Sequence, residues 1–146
     1  MAKKTFTGIS NSYIFEGAGG MRDQLEQAIL AEFQNKQYPL PATIQNIKAG
    51  GFFFGTKEQC VVVQIDKESQ IAISNTTVGT YLYVEVYLMM TENGGRGLFD
   101  NVFKTQKRNA VFAAAVETAE SAFHRLNLKQ CNSGYKASRR EISEDD

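Results

Sequence analysis

Few residues of this chain have the type and spacing to do chemistry, and Glu85 is the first. It interrupts the run Tyr81-Leu82-Tyr83-Val84-Glu85-Val86-Tyr87-Leu88-Met89-Met90. Read as a strand, the run alternates with period two. Leu82, Val84, Val86, Leu88 and Met90 form an aliphatic face that belongs in a core, and Tyr81, Tyr83, Glu85, Tyr87 and Met89 form the other. A covered Glu85 would lose hydration, and its raised pKa would suit general acid or base work. Paired carboxylate chemistry would need Glu16, and only if the N-terminal segment lay alongside. The plainer reading is adopted: Glu85 faces water and keeps the sheet surface polar.

His124 is the sole histidine, placed late in a helix where a protonated imidazole meets the negative end of the helix dipole. Spacing assigns it no nucleophile, and one histidine with Cys60 and Cys131 makes no zinc pattern. Both cysteines read as free thiols, Cys60 buried at the head of Cys60-Val61-Val62-Val63. Gly17-Ala18-Gly19-Gly20 precedes a helix, as a phosphate-binding turn would. Arg22 stands where the dinucleotide fingerprint needs glycine, and the next elements are antiparallel, so a plain entry to the helix is preferred. No catalytic residue, cofactor or metal is assigned.

Lys104, Lys107 and Arg108 fall at helical spacing, with Arg96 upstream in Glu92-Asn93-Gly94-Gly95-Arg96-Gly97. Basic groups beside tyrosines could hold RNA through phosphate contacts and stacking. The chain has 16 basic and 16 acidic residues, however, and nucleic acid is not the expected partner. A ligand reaching the glycine loop would be anionic, with Arg96 as its contact.

These residues must be carried by helices and strands. Residues 3–16 suggest one or two short strands. Met21, Leu25, Ile29 and Phe33 recur at steps of four and predict a helix over 21–37, stopped by Pro39 and Pro41. Strands are expected near 42–48, 51–56, 59–66, 70–75 and 79–91, with connections short enough to force antiparallel pairing. Phe112, Val116, Ala119, Phe123 and Leu126 predict a long second helix that starts between Asp100 and Thr105 and ends near Leu128.

Length and composition suit one globular domain: 146 residues, 42% hydrophobic and 22% charged. No apolar run approaches the ~20 residues of a membrane span, and the N-terminus lacks the apolar stretch of a signal peptide. A cytoplasmic location is expected. Residues 1–131 are read as one α+β domain and 132–146, closed by four carboxylates in its last six residues, as a solvated tail. The expected fold is a two-layer sandwich, about five antiparallel strands with both helices on one face. The alternative is a helix-grip-like sheet curved around the C-terminal helix, with an apolar cavity between them.

Function follows from the two-faced strand. The expected role is a non-enzymatic binding or assembly domain, a homodimer formed through Tyr81, Tyr83, Glu85 and Tyr87. The alternative is a carrier or enzyme for a small apolar ligand, with the same residues lining an internal pocket.

Overall fold

The computed structural model describes residues 4–35, 41–48, 57–91 and 102–131. The elements run β1 (Lys4–Glu16), a 3-10 turn (Gly19–Met21), α1 (Arg22–Asn35), β2 (Ala42–Lys48), β3 (Lys57–Gln64), β4 (Ser69–Val78), β5 (Tyr81–Thr91) and α2 (Val102–Arg125). The strands form one antiparallel sheet in the order β1-β5-β4-β3-β2, so β5 is an inner strand. The expected strand at 51–56, the Arg96 loop and the tail lie outside the described residues.

The N-terminal segment is a single strand of 13 residues, paired with β5. Its register shifts between Phe6 and Ser10, where Gly8 takes φ +94°. That bulge accounts for the break in apolar spacing that reads as two strands.

Period-two alternation assigns the core. Tyr13 and Phe15 of β1, Val61 and Val63 of β3, Ile71 and Ile73 of β4, and Leu82, Val84, Val86 and Leu88 of β5 are all buried on one face. Leu25, Ile29 and Phe33 of α1 and Ala115, Ala119, Ala122 and Phe123 of α2 pack against them. Small alanines bring α2 close to the sheet. The result is an α+β architecture with both helices on the aliphatic face. Along the other face runs a second cluster, Cys60, Val62, Ala72, Tyr87 and Met89, with Ile47 beside it.

Candidate functional site

The tyrosine-bearing face of β5 divides into a buried and an open part. Glu85 and Tyr87 are 0% exposed, whereas Tyr83 is half-buried and Tyr81 is 41% exposed. The expectation that Glu85 faces water is therefore corrected. Alternation tells which face a side chain joins, and here that face carries its own apolar cluster. Glu85 lies opposite Ser12 on β1 and Ser74 on β4, while Glu16 lies opposite Tyr81. Four residues of extended strand, about 13 Å, separate the two carboxylates, too far for paired chemistry. Both Glu85 and Tyr87 sit on the face away from α2.

At the open end, Val78 and Tyr81 form the cross-strand pair that closes the β4–β5 hairpin, at 40% and 41% exposed. With Ile14 and Tyr83, which pair across β1 and β5, they line an open apolar depression of about 270 Å³. The Tyr83 hydroxyl lies 3.2 Å from Ser12 Oγ, which orients its ring.

The hairpin tip is anchored by the glycines before α1. Gly79 takes φ +62° at the first central position, as a type II′ turn requires. The Gly19 amide donates to Thr80 O at 3.0 Å, and Thr77 Oγ1 donates to Gly19 O at 2.7 Å. A Cβ on Gly19 would stand 2.6 Å from Gly79 O. Close approach of two backbones thus explains the glycine there.

A second concavity, unforeseen from the sequence, lies on the helix side of β1. Tyr13, Phe15, Glu120, Phe123, His124, Leu128 and Gln130 line a cleft of about 220 Å³. The end of α2 builds it. Asn127 adopts φ +59°, the Leu128 amide donates to Phe123 O at 2.9 Å, and the Asn127 amide donates to His124 O at 3.0 Å. This is a Schellman cap, and its apolar partners Phe123 and Leu128 both reach the cleft. The chain then returns to β1: Gln130 bridges Phe15, and the Cys131 amide donates to Ile14 O at 2.8 Å.

Inside the cleft the Tyr13 hydroxyl donates to Glu120 Oε2 at 2.9 Å. Burial first, and then the Glu120 charge, push the Tyr13 phenol well above its ordinary pKa of 10.0. Phe123 meets Tyr13 and Phe15 edge-on, each pair of ring centroids 4.8 Å apart. Tyr13 is only 2% exposed, while His124 stands open at the cleft's margin. The signal was present in Asn127, which favours the left-handed conformation just past a helix, and in the i,i+4 spacing of Glu120 and His124.

The remaining polar clusters hold elements together. Arg108 is 3% exposed and does not join Lys107 in a basic face. Its guanidinium lies 3.4 Å from Asp66 Oδ2 and 3.7 Å from Glu68 Oε1, and its Nε donates to Ser69 Oγ at 3.2 Å. Burial pushes the Asp66 carboxyl up, but the Glu68 amide, Ser69 and Arg108 together outweigh it and carry it below its ordinary range. Arg125 pairs with Glu32, tying α2 to α1. Arg22 donates to the backbone oxygens of Asn75 and Gln59 at 2.8 and 3.0 Å. Beside it, burial raises the Glu26 carboxyl against the pull of Arg22 and the Gln59 amide. Among the described residues, no three His, Cys, Asp or Glu side chains converge as a metal site. Cys60 is buried and Cys131 exposed, and neither is in a disulfide.

Among the described residues no helix is long and apolar enough to cross a membrane. No family model and no curated protein matches the chain. Among solved structures, the chain is similar to the open form of the exocytosis-sensitive phosphoprotein pp63/parafusin (phosphoglucomutase) from Paramecium. The two are 13% identical with a TM-score of 0.46, over 80% of this chain and 20% of that one. The chain spans about a fifth of that protein's length, and a likeness of this degree carries no argument about function.

Proposed function

We propose that this is a non-enzymatic assembly domain that pairs with a second copy of itself through the open end of the tyrosine-bearing face. One observation carries the reading: the large exposed hydrophobics of the described residues, Val78 and Tyr81, project beside a depression lined only by Ile14, Val78, Tyr81 and Tyr83 among those residues. An open apolar surface of this kind can be covered by the same surface of a second copy across a two-fold axis, the isologous arrangement of most dimers. The sequence carries no net charge, so no long-range repulsion separates two copies. Tyrosine at the centre supplies a large rigid area with a polar tip, the residue type that dominates interface energetics. The apolar patch is small, which places the association in the weak, micromolar class.

Of the residues first assigned to this surface, Tyr81 and Tyr83 remain, and Val78 and Ile14 join them. Glu85 and Tyr87 lie further along the same strand face, fully buried, and form no part of the open patch. Carriage of an apolar ligand between the sheet and α2 has less support, because Glu85 and Tyr87 sit on the face away from that helix. Location in the cytoplasm accords with two cysteines outside any disulfide and belongs to the same proposal. Sedimentation of the wild type and of Tyr81→Ser over a range of concentration tests the assembly.

A further inference from the structure

We infer that the cleft under the end of α2 is a binding site for a small organic cation, a primary ammonium on a short apolar body. The cleft lies on the opposite side of β1 from the proposed pairing surface: Tyr13 and Phe15 face it, and Ile14 faces the other way. The two readings are therefore independent.

Three features set the sign of the ligand. Glu120 brings a carboxylate to the wall, and the neighbouring Tyr13 phenol keeps its proton, so its hydroxyl adds no second negative charge and donates to Glu120 Oε2. The cleft lies at the C-terminal end of a 24-residue helix, where the peptide dipoles favour positive charge. Arg125, the nearest cation in sequence to His124, is drawn to Glu32 on α1. Glu120 is the one carboxylate among the described residues that line the cleft, and no lysine or arginine is among them.

Three features set its size and body. Phe15, Phe123 and Leu128 supply an apolar wall. The volume of about 220 Å³ equals about seven waters at their liquid density, enough for a molecule of that many heavy atoms and too little for a nucleotide. The walls come from α2, its Schellman turn and β1, tied by the Gln130–Phe15 bridge, so the shape is formed before a ligand arrives. An ammonium donates to Glu120 at the polar end, with the Gln130 amide and the His124 ring as further polar contacts, while the alkyl body lies on the phenylalanines.

The test is an NMR titration of the intact protein with isopentylammonium, isopentanol and isovalerate, which share a shape and differ in charge. The side-chain resonances of His124 and Gln130 report binding. Saturable shifts are expected with the ammonium and none with the alcohol or the acid. Glu120→Gln keeps the shape of the side chain and removes its charge, and should weaken the ammonium at least about tenfold. Tyr13→Phe should weaken it by a smaller factor while leaving the cleft apolar and folded. Equal binding of isopentanol, binding of isovalerate in preference, no saturable shift with any of the three, or an unchanged affinity in Glu120→Gln would each overturn the assignment.

Discussion

The Tyr13 hydroxyl donates to Glu120 Oε2 at 2.9 Å across 107 positions of sequence, joining the edge strand β1 to the last turns of α2. The bond lies beside the Tyr13, Phe15 and Phe123 ring cluster, where apolar packing holds both partners in place. It therefore couples the helix end to the strand whose opposite side, at Ile14, lines the open apolar depression.

Loss of that bond should be visible as a pH effect. The folded phenol is held above its ordinary 10.0, so the unfolded chain ionises first. The stability linked to Tyr13 is complete below about pH 10 and falls as pH rises above it. Tyr13→Phe should cost about 1 kcal/mol at neutral pH and should lack this alkaline component. Urea melts of both proteins at neutral and alkaline pH measure it; parallel pH profiles would refute the linkage.

Arg108→Ala should be among the most damaging polar substitutions. It removes a buried cation and leaves Asp66 and Glu68 facing each other at the β3–β4 turn, a change costing about 3 kcal/mol. The Asp66 carboxyl is held below its ordinary range, so its stabilisation is present above the unfolded value of about 3.9 and disappears as pH falls through the folded one. The mutant should therefore lose less stability than the wild type on acidification to about pH 3. Thermal melts at acidic and neutral pH read both effects.

Gly19→Ala should destabilise the protein although it adds a single methyl group. The new Cβ would meet Gly79 O at 2.6 Å and Thr80 C at 3.1 Å, both of them backbone atoms, so the hairpin tip or the start of α1 must move. Gly20→Ala, with nothing within 4 Å of its Cβ, is the control and should be near neutral. Equal melting temperatures for the two variants would contradict the close approach.

Local pattern made much of the fold readable, and long-range contact hid most of the site. Alternation in β5 and the four-residue steps from Met21 to Phe33 assigned the core faces, because period and burial are coupled within one element. The bounds of β2 match the expected 42–48, set by turn residues on either side. Glu85 went wrong for a physical reason: alternation cannot say whether a second face is covered. Arg108 looked like part of a basic stripe because its acidic partners lie some 40 positions earlier on a different element. The cleft needed Tyr13, Glu120 and Gln130 together, from three separate parts of the chain. Asn127 alone gave a local hint, as a helix stop.

The central claim is that Val78 and Tyr81 hold two copies together, and sedimentation equilibrium of the wild type beside Val78→Ser/Tyr81→Ser tests it most directly. Both side chains are substantially exposed, so the double variant should keep a melting temperature close to the wild type's. The account predicts that the wild type shifts from monomer to dimer through the micromolar range. It predicts that the double variant stays monomeric there, the loss of a central tyrosine costing about 2 kcal/mol or more of association. A wild type that remains monomeric throughout, or a double variant that dimerises as tightly as the wild type, would contradict it.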